Sequence, residues 1–201
     1  MQTFLFEKDY VKFLKITEHF AFKRKRLTEE DKSKTEQYRA EQARKVASET
    51  ITSFEEYVRK LELKLDVSVN NLSEIERYAQ MTEKTNQFNF NKEIFSVKEL
   101  QGFVERGNLL FGLKVSDKFG DYGTVGLMLV EVKNNEATLR NYLMSCRALG
   151  RGIEDKFFEH VLNALSEKGL TLRHIEFKET AKNKPAQEFY AKILQRYAEF
   201  A

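Results

Sequence analysis

Ser145-Cys146-Arg147-Ala148-Leu149-Gly150-Arg151-Gly152-Ile153-Glu154 joins two segments of opposite periodicity. Before it, Ala137 to Met144 is an apolar, strand-like run; after it, Asp155 to Leu165 carries Phe158, Val161, Leu162 and Leu165 at helical spacing. Glycine lets a backbone come close to a ligand. The first amides of a helix have no internal acceptors and point at whatever lies before them. The stretch therefore reads as an anion cradle suited to phosphate, built from Arg147, Leu149, Gly150, Arg151, Gly152 and Ile153. The plainer alternative is a strand-to-helix turn that uses glycine for its geometry.

Upstream, Leu61 to Val69 alternates apolar and polar residues, the pattern of a half-buried strand. Ser53 with Glu56 forms a capping box ahead of a short helix, and Ser73 with Glu76 opens another that ends near Thr85. Ser96 with Glu99 caps the next. Three strands are expected at 108–115, 125–132 and 137–144, joined as an antiparallel meander by the link 116–123 and by a tight turn at Asn134-Asn135, whose asparagines tolerate positive φ. Downstream, Gly169 ends the helix that follows the cradle, Leu172 to Glu179 is a strand, and Pro185 begins a last helix with Phe189, Tyr190 and Ile193.

The 201 residues, 41% hydrophobic and 12% aromatic, suffice for one sizeable core with a helical appendage. Charged residues make up 32%, yet the net charge is only +3, which fits a mixed-sign solvated surface better than a nucleic-acid footprint. One cysteine rules out an internal disulfide. No apolar run approaches the roughly 20 residues that span a bilayer, and the start lacks a signal-peptide layout. A cytoplasmic protein with no nucleic-acid or membrane partner is expected. Residues 1–60 read as an N-terminal helical extension or linker: an amphipathic helix over Glu7–Phe22, then a polar one from Thr28 to about Ser48. Their apolar stripe, led by Phe6, Tyr10, Phe13 and Phe20, calls for a partner domain or a second copy of the chain. Residues 61–201 read as the main domain.

The spacing Arg147-x-x-Gly150-x-Gly152 resembles the pyrophosphate signature of the GNAT acyltransferases, Gln/Arg-x-x-Gly-x-Gly/Ala, and Asn183-x-x-Ala186-x-x-x-Tyr190 falls where a second motif of that family lies. The expected element order is also that of the family. The resemblance implies an α/β (α+β) GNAT-like acyl-CoA N-acyltransferase fold, a central, mostly antiparallel sheet flanked by helices. It further implies a gap between the fourth and fifth core strands for the pantetheine arm, cofactor binding by the cradle and Asn183, and Tyr190 as the general acid for the leaving thiolate. A tyrosine on an amphipathic helix is equally read as core packing.

Four stretches sharpen the resemblance: Thr85-Asn86-Gln87-Phe88-Asn89, Asp117-Lys118-Phe119-Gly120-Asp121-Tyr122-Gly123, the 145–154 stretch and Thr180-Ala181-Lys182-Asn183. Together they are similar to the C-terminal half of FkbH-like proteins, over about Leu27 to Tyr190. In that family a HAD-type phosphatase-like domain precedes this region, and the two halves are associated with glyceryl-carrier-protein thioesters, for example toward methoxymalonyl units in polyketide biosynthesis. No Asp-x-Asp-x-Thr/Val motif of a HAD domain occurs here. The Gly-Phe usual after the tyrosine helix is replaced by Ile193-Leu194-Gln195-Arg196, so a shortened or absent terminal strand pair is expected. The resemblance implies coenzyme A or the phosphopantetheine of an acyl carrier protein as cofactor, with a carrier protein or HAD-type domain as partner.

Among further candidates, Asn86, Gln87, Phe88 and Asn89 lie where the family shapes its acceptor side. They are expected either to bind substrate or to tie down their own loop. Asp117 and Asp121 are candidate bases beside the cleft. Cys146 is a candidate acyl carrier, although a cysteine at the end of an apolar strand usually behaves as a small buried hydrophobe. His19, His160 and His174 stand apart and give no metal spacing. The leading expectation is an acyltransferase-type domain acting on phosphopantetheine thioesters; the alternative is a non-catalytic module that docks a carrier protein beside a HAD-type domain.

Overall fold

The computed structural model describes residues 29–49 and 53–197. The expected helix Glu7–Phe22 and its apolar stripe lie outside these residues. In chain order the elements are α1 (Glu29–Glu49), α2 (Phe54–Leu61), β1 (Lys64–Val69), α3 (Ile75–Lys84), β2 (Phe88–Asn89), α4 (Val97–Glu105), β3 (Leu109–Asp117), β4 (Gly120–Lys133), β5 (Glu136–Met144), α5 (Ile153–Glu167), β6 (Thr171–Ile175) and α6 (Lys184–Arg196). This is a mixed α/β fold around one six-stranded, mostly antiparallel sheet.

The strand order is β1-β3-β4-β5-β2, with β6 parallel to β5. Helices cover both faces. On one, Ile75, Tyr78, Met81, Leu100 and Phe103 of α3 and α4 pack on Leu110, Leu127, Leu129 and Leu143. On the other, Phe157, Phe158 and Val161 of α5 and Phe189 of α6 pack on Met128, Val130, Tyr142 and Met144. Alternate residues of β4 thus enter opposite cores, which is why its sequence is a continuous apolar run rather than an alternating one. Close packing shows at Gly112, where an added Cβ would collide with the Tyr78 ring.

Several local signals are met. Ser96 and Glu99 complete both halves of a capping box. Asn134 and Asn135 turn the β4–β5 hairpin with φ of 51° and 64°. The link expected over 116–123 is much shorter, because β4 begins at Gly120, and the first strand starts at Lys64 after α2 has carried the chain to Leu61.

Two segments beside the sheet position the site. The polar helix α1 reads as a strut, but it docks on the β3–β4 hairpin through buried Ala40 and Arg44. The second segment follows α3. Lys92 Nζ caps that helix, donating to the carbonyls of Thr82, Glu83 and Thr85 at 2.7, 2.6 and 3.0 Å, and holds the loop 85–91 against the sheet.

Candidate functional site

β5 and β6 pair only over Glu136–Leu139 and Thr171–Ile175. Beyond Leu139 they part, as the family resemblance implies, but the gap is filled by the chain itself. β2 pairs with Leu143 and Met144 along the same edge of β5. Phe90 N then donates to the Tyr142 carbonyl (3.0 Å), and Lys178 N to the Phe90 carbonyl (2.7 Å). The Asn141 side chain supplies the next rung: its Oδ1 accepts from Asn91 N (3.1 Å) and its Nδ2 donates to the Asn91 carbonyl (2.5 Å). The Tyr142 carbonyl of β5, which borders that gap, is therefore satisfied within the protein. Phe88, expected to bind substrate, and Phe90 are almost fully buried among Tyr142 and Phe189.

Asn89 and Asn183 serve the same wedge. Asn183 Nδ2 donates to the carbonyls of Asn89 and Lys178, both at 2.9 Å, while its Oδ1 accepts from Thr180 N (2.8 Å) and Gln187 Nε2 (3.0 Å). Its amide is saturated by local bonds, so the cofactor role expected for it is not what this arrangement provides. Asn89 Nδ2 donates to the Thr85 carbonyl (3.0 Å), leaving its Oδ1 buried without a partner.

At the end of β5, Ser145 N donates to the Val125 carbonyl (2.7 Å), and a short 3₁₀ turn over Cys146–Ala148 leads to the glycines. Gly150 and Gly152 are left-handed, with φ of 74° and 70°, and an added Cβ would meet nothing within 4 Å. Glycine is needed here for the backbone angle rather than for close approach. Gly152 caps α5, and Gly150 N donates to Glu154 Oε1 at 2.6 Å. Glu154 is buried, and its Oε2 has no partner. An oxyanion therefore already lies on the predicted cradle, supplied by the first turn of α5, where acids are favoured by the helix dipole.

The two cradle arginines reach toward α1. Arg147 Nη1 donates to Gln37 Oε1 (2.6 Å), and Arg151 Nη2 lies 3.6 Å from Glu41 Oε1. Arg151 Nη1 also closes back on the Arg147 carbonyl (2.5 Å). The Nε atoms of both are buried and unpartnered. Leu149 packs against the core with Ala148 and Ile153.

Asp117 is a structural acid. Its carboxylate accepts from Arg44 Nε (2.7 Å), Arg44 Nη2 (3.0 Å), Tyr122 Oη (2.7 Å), and the amides of Phe119 (2.8 Å) and Gly120 (3.1 Å). Burial pushes this carboxyl up, but the bonds from Arg44, Tyr122 and Phe119 outweigh it and hold it below the usual range. The Arg44 guanidinium also lies 3.7 Å over the Tyr122 ring. The carboxylate, expected as a base, thus has five donors and no exposed side-chain surface. Asp121 is exposed, accepts from Gly123 N (2.6 Å), and lines a cavity of about 550 Å³ between α1 and the hairpin tip.

Cys146, read as a small buried hydrophobe, is exposed. It lines a cavity of about 350 Å³ with Asn86, Gln87, Arg77 and Lys84. The structure thus joins two of the expected acceptor residues to the candidate thiol. Tyr190 is elsewhere, its ring stacked on Phe177 (4.3 Å between centroids, 6° between planes) and edge-on to Phe90. No hydrogen-bond partner of its hydroxyl is found among the described residues.

Sequence reading missed Arg77, Lys84 and the capping role of Glu154. An acid two residues past a glycine N-cap is a signal for the last; the first two carry no local signal. Among the described residues, no group of three or more His, Cys, Asp or Glu could hold a metal ion, and no helix is long and apolar enough to cross a membrane.

No protein-family model matches the chain, and no curated protein sequence matches it. Among solved structures it is similar to the ribosomal-protein-S18-alanine N-acetyltransferase of Escherichia coli, at 16% identity and TM-score 0.47, over 65% of this chain and 76% of that one. It is also similar to the PaiA N-acetyltransferase of Thermoplasma acidophilum in complex with coenzyme A (14%, TM-score 0.49, 64% and 87%). A third is an acetyltransferase of the GNAT family from Staphylococcus aureus Mu50 (15%, TM-score 0.46, 64% and 82%).

Proposed function

We propose that this chain is a GNAT-like acyltransferase-type domain that binds a phosphopantetheine thiol, from coenzyme A or an acyl carrier protein, and serves acyl or glyceryl thioester transfer in the manner of FkbH-like proteins. The observation that carries the reading is the Gly150 amide holding a carboxylate at the start of α5. The cradle accepts an oxyanion, and Glu154 Oε1 stands where a phosphate oxygen would bind. On this reading Gly150, Gly152 and Ile153 offer backbone donors to the diphosphate once Glu154 swings away. Arg147 and Arg151 then exchange their contacts with Gln37 and Glu41 for charge-assisted bonds.

The arm of the cofactor is fitted less well, because Phe88 to Asn91 occupies the edge of β5. On the competing covalent route the thiol end lies at the Cys146 cavity, with Asn86 and Gln87 as donors to a carbonyl. A bound phosphopantetheine supplies the thiol. From the protein, the Tyr190 hydroxyl, for which no hydrogen-bond partner is found among the described residues, protonates the departing thiolate. Exposed Asp121 or a water takes the acceptor's proton. Cys146 is the site of a covalent thioester on the competing route.

The filled gap, the saturated Asn183 and the stacked ring of Tyr190 favour the second reading, a non-catalytic module that docks a carrier protein beside a HAD-type domain. Titrating the chain with coenzyme A and with holo and apo carrier protein, each with a transfer assay, separates the two. Coenzyme A binding with turnover supports the enzyme, and carrier binding without turnover supports the docking module. Indifference to all three ligands overturns both.

A further inference from the structure

Arg77 of α3 is half-buried, and among the described residues no carboxylate hydrogen-bonds it; Glu74 acts on it only at a distance, through its charge. Its Nη1 donates to Gln80 Oε1 (2.5 Å) and its Nη2 to the Thr124 carbonyl (3.3 Å), both neutral acceptors. The nearest acid on its own helix turn, Glu74, is held by Lys114 Nζ (2.9 Å) and Thr124 Oγ1 (2.8 Å). Arg147 likewise donates to a neutral acceptor, and its Nε is unpartnered. Burial lowers both guanidiniums, and Arg77 lies close enough to Arg147 for their repulsion to lower the second further.

Arg77 and Lys84 open onto the cavity of about 350 Å³ beside Cys146, and among the described residues no Asp or Glu lines it. A partly desolvated guanidinium with no carboxylate in direct contact is costly, and clefts lined by one sign of charge concentrate ligands of the other. Asn86 and Gln87 add amide donors at the rim, and the buried faces of Met81 and Met144 give an apolar floor. A small polar pocket with a few convergent charges is the ordinary form of a ligand site.

We propose that this cavity binds an oxyanion, the carboxylate or phosphate monoester of a small substrate, through Arg77 and Lys84, beside the Cys146 thiol. Read with the proposed function, which this inference deepens, the substrate of the transfer carries such a group, and its carbonyl is held toward Cys146. Guanidinium suits the role because its planar fork pairs with two oxygens at once. The site is distinct from the glycine cradle, whose anion is met by backbone amides.

The test is calorimetric titration of the full chain with inorganic phosphate, with succinate, and with neutral succinamide, followed by coenzyme A as a separate arm. Wild type should bind phosphate or succinate and not succinamide; the tighter of the two identifies the source of the oxyanion. Arg77→Gln should weaken that binding by about 10- to 100-fold, the loss of hydrogen bonds to a charged group. Lys84→Gln, at an exposed position that leaves folding untouched, should weaken it less. Arg77→Lys should recover part of the loss, which separates lost charge from lost structure. Oxyanion binding unchanged in Arg77→Gln and in Lys84→Gln, or no binding by wild type, overturns the site. Coenzyme A binding that persists in that case leaves the proposed function standing. Oxyanion binding that depends on Arg77 in a chain indifferent to coenzyme A and to holo and apo carrier protein upholds the site and removes the function.

Discussion

Replacing Asp117 with Ala tests whether that acid is structural. The Arg44–Asp117 pair is bidentate, at 2.7 and 3.0 Å, with side-chain exposures of 3% and 0%, so solvent screening does not discount it. Removing one member of a buried pair leaves an uncompensated charge and costs about 3 to 5 kcal/mol. Tyr122 Oη and two amides lose their acceptor as well, which argues for the upper end of that range. For a chain of this size each kcal/mol shifts Tm by about 2 to 4 °C, so a drop of about 6 to 20 °C is expected by calorimetry or circular dichroism. Replacing both partners by apolar residues, Asp117→Leu with Arg44→Met, should recover much of it, since such exchanges are often neutral. The pH dependence follows from the lowered carboxyl. Its stabilisation is complete above the unfolded value of about 3.9 and is lost as pH falls through the folded one, so Asp117→Asn should remove that acid-side slope. An Asp117→Ala protein as stable as wild type, but without transfer activity, would refute the structural assignment and restore the acid as a base.

Glu154→Gln keeps a side-chain acceptor for Gly150 N but removes its charge, so coenzyme A affinity should rise by about tenfold, near 1.4 kcal/mol; unchanged affinity by titration would mean that the carboxylate does not compete. Tyr190→Phe should leave chemical stability within about 0.5 kcal/mol, because the stack on Phe177 does not use the hydroxyl. The same variant should lower transfer by about 100-fold, and a wild-type rate would leave the ring as packing alone. Gly112→Ala should cost about 1 to 3 kcal/mol in denaturant unfolding, because the new methyl group meets Tyr78 Cζ at 2.6 Å; a neutral effect would mean that α3 shifts freely over the sheet.

What was legible in the sequence was local. The alternation ending at Val69, the Ser96–Glu99 box, the asparagine turn and the glycine join each depend on residues within a few positions of one another, and the element order follows from them. Contacts across the chain left no such mark. Arg44 sits in a polar helix with little apolar pattern, 73 residues from its partner, so neither the docking of α1 nor the saturation of Asp117 was readable. β2 consists of two paired residues, and its position depends on the side chains of Asn141 and Asn183. Phe88-Asn89-Phe90 does alternate, which was its one local signal. The strand-to-helix join itself was found, but not that Glu154 lies on it, because an acid in a first helical turn reads as ordinary capping.

The central claim, that the join at 145–154 binds the phosphates of a phosphopantetheine cofactor, is tested most directly by amide NMR of the full chain during coenzyme A titration. Saturable shifts should be largest at Gly150, Gly152 and Ile153, and should disappear in a folded Arg147→Ala/Arg151→Ala variant. Binding that leaves those three amides unmoved, or no binding by wild type, would contradict it.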